Sequence, residues 1–309
     1  MLLYDNLSTG HRLLAKGFEL VVGDIGDAAR LLPALREANV VIHFAAHAYV
    51  AESVENPRKY FENNVRADLC LLDAVLQARI PYLIFSSTCA VYGLPTSIPI
   101  TEGIFREPVN PYGTSKLFFE HALEAYGKAY GLRFVSLRYF NAAGADESGE
   151  IGELHDPETH LIALALEVAA GLRPELAIYG NDYPTRDGTC VRDYVHVSDL
   201  AEAHVLSLEY LLAGGQSTAL NLGTGKGHSV AEVVAAVEEV TGPIVCKRYG
   251  PRRPGDPPVL VADPSRAQLL LNWRPSRSLN QTIASAWQWL QRCRIPALSQ
   301  QAKNLREQR

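Results

Sequence analysis

The sequence has no long apolar run, no paired cysteine motif and no excess of positive charge. No stretch approaches the ~18 consecutive apolar residues of a membrane-spanning helix. The net charge of −5 at pH 7 gives no electrostatic reason to bind nucleic acid or an anionic membrane. Internal repeats and low-complexity linkers are also lacking. These observations predict a globular protein with no nucleic-acid partner and no membrane partner.

The cysteines are few, odd in number and widely spaced. They are Cys70, Cys89, Cys190, Cys246 and Cys293. This pattern favours reduced thiols over a disulfide or zinc framework. Asp5 also interrupts the first apolar residues too soon for a signal peptide. We therefore expect a cytoplasmic protein.

Apolar runs alternate with helical stretches in the first half of the chain. Strands are predicted at 1–4, 19–22, 39–44, 81–85 and 133–138, and helices at about 27–37, 57–79, 112–130 and 278–293. Alternation of this kind is typical of a parallel sheet. The chain has 309 residues, enough for one large domain and an appended lobe. We predict a doubly wound α/β domain over 1–150, and a smaller α/β lobe over 151–309 with some segments returning to the first domain.

Tyr112, Lys116 and Thr88 are the most informative candidates for chemistry. In the helix predicted after Pro111, residues four apart share one face. A cation ~4 Å from a phenol at an effective dielectric of ~20 is worth ~4 kcal/mol, or ~3 pK units, so we expect Lys116 to lower the pKa of Tyr112. Thr88 follows a predicted strand and should emerge where open α/β sheets bind ligands. The three suit proton transfer with an alcohol while a cofactor takes hydride, although a tyrosine four residues before a lysine is also common on surface helices.

Around these residues the sequence resembles the UDP-glucose 4-epimerase family of the extended short-chain dehydrogenase/reductase superfamily. The matching motifs include DNLSTG at 5–10, HFAA at 43–46, SST at 86–88, PYGTSK at 111–116, RYFN at 138–141, VRDYVH at 191–196, NLGTG at 221–225 and RRPGD at 252–256. The resemblance implies a Rossmann-like sheet and a bound NAD. It also implies interconversion of UDP-glucose and UDP-galactose through a transient 4-keto intermediate.

The resemblance assigns residues to three roles. Catalysis falls to Thr88, Tyr112 and Lys116. Cofactor contacts fall to Asp5, Asn6, Ser8, Asp24, Ile25, Phe44, Ala45, Ala46, Asn63, Tyr112, Lys116 and Tyr139. Substrate contacts fall to Thr88, Asn141, His160, Leu161, Tyr179, Arg192, Arg253 and Asp256. From the residues alone, Asp5 is equally a turn residue, Asn63 a solvated side chain and Tyr179 a core tyrosine.

The resemblance further implies a homodimer, a dinucleotide-binding role for 1–150 and a mainly substrate-binding role for 151–309. In the family an acidic residue such as Asp5 lies ~20 residues beyond a glycine-rich turn that binds the pyrophosphate. No such turn precedes Asp5 in this sequence. We therefore expect a sheet that is missing its first strand, and a full product that begins roughly 25 to 30 residues earlier.

Several alternatives stay open. A nucleotide-sugar 4,6-dehydratase is the nearest rival, but those enzymes follow the threonine with Asp-Glu, whereas Cys89 and Ala90 follow Thr88 here. Leu260, where some relatives place a tyrosine, leaves UDP-pentoses and UDP-N-acetylhexosamines as further substrates. A catalytically silent nucleotide-sugar-binding protein is the alternative outside enzymes. No metal is expected at the His155–His160 segment, because Pro157 breaks any helical pairing of its histidines.

Overall fold

The structure is a computed structural model that describes residues 1–253 and 255–294. Its strands are β1 Leu2–Asp5, β2 Glu19–Val22, β3 Val40–His43, β4 Tyr82–Thr88, β5 Arg133–Tyr139, β6 Asn141–Ala143, β7 Leu176–Tyr179, β8 Val191–His196, β9 Thr218–Leu222, β10 Gly227–Ser229, β11 Lys247–Gly250 and β12 Val259–Leu260. Its α-helices are α1 Ala28–Leu35, α2 Val50–Glu55, α3 Pro57–Phe61, α4 Asp68–Gln77, α5 Pro111–Tyr130, α6 Leu161–Ala169, α7 Val197–Leu212, α8 Val230–Thr241, α9 Ser265–Leu271 and α10 Leu279–Trp289. Each strand and helix predicted from the sequence is present within a few residues, except that the single helix predicted over 57–79 is divided.

The chain divides into two compact units. Unit 1 comprises Met1–Phe140, Ala201–Gly225 and Ala262–Arg274, and unit 2 comprises Asn141–Leu200, Lys226–Val261 and the described residues from Pro275 onward. Unit 1 contains a parallel sheet in the order β3-β4-β5-β9 and a separate parallel pair, β1-β2. The predicted α/β fold with parallel strands is confirmed.

The core of unit 1 forms around β4. Leu83, Ile84 and Phe85 are fully buried, as expected for a strand covered on both faces. Phe119 and Leu123 on α5 pack into the same cluster, which also includes residues of α1 and α4. The core therefore fixes α5 against the strand that ends at Thr88.

The strands β1 and β3 belong to different sheets. In the described residues β1 pairs with β2 and β3 pairs with β4, and no hydrogen bonds join β1 to β3. Ile42 and Phe44 are 38% and 58% exposed, which is high for apolar residues at a parallel strand. One edge of β3 is consequently open.

The helix predicted over 57–79 is interrupted. A π-helical turn, Glu62–Ala67, lies between α3 and α4 and contains Asn63 and Asn64. Such turns insert an extra residue into a helix and often occur at functional sites. The sequence pattern gave no indication of this turn.

Unit 2 is a smaller α/β assembly. Its strand β8 pairs in parallel with β6 and β12 and antiparallel with β10, and β7 pairs with β11. The helices α6, α8 and α10 supply its apolar core. Throughout the described chain, every helix is too short or too polar to cross a bilayer.

The described cysteines form no disulfide. Cys70, Cys89, Cys190 and Cys246 are free thiols, as the spacing predicted. The side chain of Cys293 lies outside the described residues.

Candidate active site

The helix α5 places two of the predicted catalytic residues on one face. Pro111 is at its first turn, where the missing amide hydrogen is tolerated, and the Asn110 side chain accepts a hydrogen bond from the amide of Gly113 at 2.8 Å. Adding a Cβ to Gly113 would bring it within 2.6 Å of the Ala90 carbonyl oxygen. The close approach at this glycine therefore sets the start of α5 against the segment that follows Thr88.

The Thr88 hydroxyl and the Tyr112 phenol are hydrogen-bonded to each other. Thr88 is the last residue of β4 and is buried, so its hydroxyl is held at the carboxyl end of the sheet. Burial raises the pKa of Tyr112 to about 12, and the Thr88 hydrogen bond opposes that rise. The predicted pairing of threonine and tyrosine is therefore present.

Lys116 lies one turn beyond Tyr112 and is almost fully buried. Its Nζ donates to the Ser86 carbonyl oxygen at 2.9 Å and lies 4.7 Å from the Phe85 ring centroid. Burial lowers the pKa of Lys116 to about 8, and the charges of Asp68 and Glu120 counteract it. The sequence predicted that Lys116 lowers the pKa of Tyr112, but in this structure burial dominates at both residues and the pKa of Tyr112 is raised.

Tyr139 and Asn64 connect the same region to its neighbours. The Tyr139 hydroxyl donates to the Ser86 hydroxyl. Asn64 is buried and bonds the amide and the carbonyl of His47, each at 2.9 Å, and also reaches the Ser115 hydroxyl at 3.2 Å. The sequence reasoning selected Asn63, whose amide donates to Asn64, and missed the role of Asn64 in linking three segments.

A cleft in unit 1 brings together most of the predicted cofactor residues. It is open to solvent and is lined by Tyr4, Asp5, Asn6, Ser8, Thr9, Gly23, Ile25, Ala45, Ala46, His47 and Asn63. Asp5 ends β1, and its Oδ1 accepts from the Leu7 amide at 2.6 Å. An acidic residue at a strand end beside small apolar residues fits an adenosine ribose, so the cleft fits the adenosine half of NAD.

Five predicted cofactor residues lie outside that lining: Tyr112, Lys116 and Tyr139, which belong to the catalytic group described above, and Asp24 and Phe44. Asp24 accepts hydrogen bonds from the Asn6 side-chain amide at 2.9 Å and from the Gly26 backbone amide at 2.8 Å, so it links the segments that follow β1 and β2. Phe44 instead lies near His204, with 4.7 Å between ring centroids. Their assignments as cofactor contacts stay predictions.

Two arginines of unit 2 are held in different ways. Arg192 on β8 is nearly buried, and its guanidinium bonds the Asp256 carboxylate and the Val191 carbonyl. Arg253 is exposed and lies over the Tyr179 ring, 4.2 Å from its centroid. Arg192 is thus held in an internal ion pair, whereas Arg253 keeps its hydrogen-bond donors accessible. Accessible guanidinium donors are suited to an anionic ligand.

Four side chains of the segment before α6 converge. The ligand-type atoms of Glu153, His155, Glu158 and His160 lie within 4.8 Å of one another. His160 Nδ1 lies 2.5 Å from Glu153 Oε1 and 3.3 Å from Glu158 Oε1. Burial acts against the charged imidazole, but these two carboxylates outweigh it and raise the pKa of His160 to about 10. The spacing of these residues in the sequence did not predict this convergence, because it occurs on a loop. Within the cluster the histidines and the glutamates form ion pairs.

The remaining predicted substrate residues occupy element ends. Asn141 begins β6 and pairs in register with Tyr194, and Leu161 begins α6 directly after His160. The backbone amides at the start of a helix are available to anionic ligands. Their assignments as substrate contacts stay predictions.

Comparisons with known proteins match this chain over most of its length. The family described as GDP-mannose 4,6 dehydratase matches residues 4–286. A UDP-glucose 4-epimerase of Rhizobium meliloti is 50% identical over 288 residues, covering 93% of this chain and 88% of the relative.

Two solved structures show the same likeness. The UDP-glucose 4-epimerase of Brucella ovis in complex with NAD is 51% identical, with a TM-score of 0.90 over 93% of this chain and 89% of that one. The UDP-glucose-4-epimerase of Stenotrophomonas maltophila with bound NAD and formylated UDP-arabinopyranose is 39% identical, with a TM-score of 0.92 over 96% and 91%.

Proposed function

Because this chain belongs to the UDP-glucose 4-epimerase family of the extended short-chain dehydrogenases/reductases, we propose that it interconverts UDP-glucose and UDP-galactose. It is a nucleotide-sugar 4-epimerase, an isomerase that uses NAD. The observation that carries the proposal for its own residues is the buried contact between Thr88 and Tyr112, with Lys116 one turn further along α5. This is the arrangement that removal of a proton from a sugar hydroxyl requires.

NAD, when bound, supplies a reversible hydride acceptor for carbon 4 of the sugar. In unit 1, Asp5, Asn6 and Ile25 would hold its adenosine half at the described cleft. Tyr112 takes the proton of the 4-hydroxyl group and returns it when the 4-keto sugar is reduced on its other face. Thr88 relays between the phenol and the sugar hydroxyl, since its hydroxyl already bonds the phenol oxygen.

Lys116 favours the ionised form of Tyr112 in this mechanism. Burial raises the pKa of Tyr112 to about 12, so an isolated phenol would be a poor base at neutral pH. A protonated ammonium on the same helix face opposes this rise electrostatically. The mechanism therefore depends on Lys116 keeping its proton, although burial brings its pKa to about 8.

Unit 2 would bind the UDP moiety, and unit 1 the dinucleotide. Arg253 is suited to the diphosphate because a guanidinium fork matches phosphate oxygens, and Arg192 would contribute the donors that its bonds to Asp256 and the Val191 carbonyl leave over. Asp256, held by Arg192, is suited to a ribose hydroxyl pair, and Tyr179 to stacking near uracil. Asn141, His160 and Leu161 complete the proposed substrate contacts. A silent nucleotide-sugar-binding protein would retain these contacts, and copurification of UDP-sugar without NAD would support it.

A 4,6-dehydratase is disfavoured by the residues after Thr88. Elimination of water needs an acid and a base there, and Cys89 and Ala90 occupy the start of a 3₁₀ turn, Cys89–Tyr92, instead. Neither side chain provides a carboxyl group. The formation of a 4-keto-6-deoxy sugar from a UDP-hexose would overturn this conclusion.

Substrate preference is tested by comparing rates on UDP-galactose, UDP-xylose and UDP-N-acetylglucosamine. We expect UDP-galactose to be the fastest of the three. Leu260 on β12 is half-buried and smaller than a tyrosine, so it leaves room beside a sugar substituent. Leu260→Tyr should reduce the rate on UDP-N-acetylglucosamine more than the rate on UDP-galactose, and Val259→Ile is the matched control. A clear preference of the parent for a pentose or N-acetylated sugar would contradict the assignment.

We also propose a cytoplasmic homodimer. The free thiols of the described cysteines fit a reducing compartment. Sedimentation velocity at several concentrations tests the assembly, and a monomer at all of them would exclude the dimer. Localisation of a tagged chain by cell fractionation tests the compartment, and recovery outside the cytosol would contradict it.

A further inference from the structure

Asp68 is a fully buried carboxylate that no residue role given above explains. It begins α4 directly after the π-helical turn Glu62–Ala67, and its side chain has no exposed surface. In the described part of the chain neither of its oxygens has an aligned hydrogen-bond donor. Its nearest basic group is His43 at the end of β3, with Nε2 lying 3.0 Å from Oδ1. A buried carboxylate with so few partners is costly unless a nearby positive charge compensates it.

His43 and Lys116 share one aromatic neighbour. The His43 ring stacks on Phe85 at 5.6 Å between centroids, and the Lys116 Nζ lies 4.7 Å from the centroid of the same ring. His43 also meets Phe119, one residue before Glu120, edge to face at 5.3 Å. The group formed by Asp68, His43 and Phe85 therefore lies next to the catalytic lysine in the core of unit 1.

The other groups around Lys116 do not replace this charge. On α5, Glu120 is already bonded by the Arg138 guanidinium at 2.6 and 2.9 Å, by the Ser87 hydroxyl at 2.6 Å and by Arg106. From β4 the Ser86 carbonyl accepts a hydrogen bond from Lys116, and from β5 the Tyr139 hydroxyl is directed to Ser86. Tyr112 on α5 is the group to be ionised. Since Arg138 compensates Glu120, Asp68 is the carboxylate left to act on Lys116, and its charge raises the pKa of Lys116 against burial.

We propose that Asp68, held in place by His43, is a positioning residue that keeps Lys116 protonated at neutral pH. The proposal rests on the proposed function insofar as it explains catalysis, because Lys116 assists Tyr112 only as a cation. It concerns the protonation state of one side chain, so it also has a consequence in the absence of substrate. The chemical logic is a buried anion that stabilises a buried ammonium beside the same aromatic ring.

The direct test is the titration of Lys116 followed by NMR in protein labelled with ¹³C at the lysine Cε atoms, with Lys116→Arg used to assign the signal. In Asp68→Asn, which keeps the shape and removes the charge, the pKa of Lys116 should fall by about one pH unit or more. Asp68→Glu should return it toward the parent value. Glu124→Gln removes an exposed carboxylate of α5 that lies 3.4 Å from Arg106, and it should leave the pKa of Lys116 unchanged.

An equal pKa of Lys116 in Asp68→Asn and in the parent would overturn the proposal. If Asp68→Asn does not fold, Asp68→Ser, which also removes the charge, takes its place, and an equal Lys116 pKa in Asp68→Ser and the parent would overturn the proposal.

The activity profile provides a second readout. Loss of a proton from Lys116 removes the cation that supports Tyr112, so kcat of Asp68→Asn should fall several-fold more at about pH 8.5 than at about pH 6.5. A purely structural role would reduce kcat by the same factor at both values. If the Lys116 pKa shifts as expected while no epimerase activity exists in any variant, the proposed function fails and the role of Asp68 stands.

Discussion

The catalytic group of unit 1 and the polar groups of unit 2 use charge in opposite ways. In unit 1, Thr88 and Lys116 are buried, and burial moves the pKa of Lys116 down to about 8 and that of Tyr112 up to about 12. In unit 2, Arg253 and Tyr179 are exposed, and Arg192 forms an ion pair with Asp256. The difference fits the proposed division of roles, in which unit 1 transfers the proton, a step that desolvation tunes, and unit 2 supplies affinity through accessible charge.

The largest effect should come from Tyr112→Phe. The ring still packs, but the group that moves the proton is removed, so kcat should fall by about a hundredfold to ten-thousandfold. Affinity for UDP, measured by calorimetry, should stay nearly the same. Phe118→Tyr, a change on the exposed face of α5, serves as the control. Activity of Tyr112→Phe within tenfold of the parent would remove Tyr112 from the catalytic role.

A smaller effect, on the affinity for UDP rather than on kcat, should come from Arg253→Ala. A hydrogen bond between ionised groups is worth about 1.5 to 3 kcal/mol, so the affinity for UDP should fall about tenfold to a hundredfold with little change in kcat. Arg252→Ala is the matched control, because Arg252 also lies over a tyrosine, Tyr183 at 4.4 Å, but is bonded to Asp182. Equal losses in the two variants would show that Arg253 has no particular role at the diphosphate.

The smallest effect should come from His160→Gln, which changes how the stability of the protein depends on pH. The carboxylates beside His160 raise its pKa to about 10, above the value of about 6.5 in an unfolded chain. The stabilisation is therefore complete below about pH 6.5 and is lost as the pH rises toward 10. Because His160 is 46% exposed, we expect His160→Gln to change the unfolding temperature by only about 2 °C at neutral pH, and to flatten its decline above pH 7.

The same cluster predicts that the protein loses stability in acid. Hydrogen bonds from His155 and His160 overcome the effect of burial and hold the pKa of Glu153 at about 2, so its contribution is present above about pH 4.5 and is lost on acidification toward pH 2. His11→Gln, an exposed change in unit 1, is the control for loss of a histidine. An unfolding temperature with the same pH dependence in His160→Gln and His11→Gln would contradict the assignment.

Local patterns predicted much of the fold and the catalytic group. The start of α5 follows from Asn110 and Pro111, and the burial of β4 follows from its continuous apolar run. The four-residue spacing then places Tyr112 and Lys116 on one face without any tertiary information. These features depend on neighbours in sequence, which is why they were predictable.

Other features depend on partners that are distant in sequence. The role of Asn64 arises because a π-helical turn directs its side chain toward His47 and Ser115, and periodicity does not report such a turn. The raised pKa of Tyr112 was mispredicted, since the distance argument for Lys116 omitted desolvation. The substrate residues of unit 2 came from family resemblance alone, because loops such as the one carrying His160 have no periodic signal.

The most direct test of the central claim is the conversion of UDP-galactose in deuterated water, followed by ¹H NMR of the sugar. If the chain removes and returns the hydrogen of carbon 4 as a hydride, UDP-glucose forms and keeps its proton at that carbon. Tyr112→Phe run in parallel should give no conversion on the same time scale. Deuterium at carbon 4, a 4-keto-6-deoxy product or conversion by Tyr112→Phe at the parent rate would contradict the account.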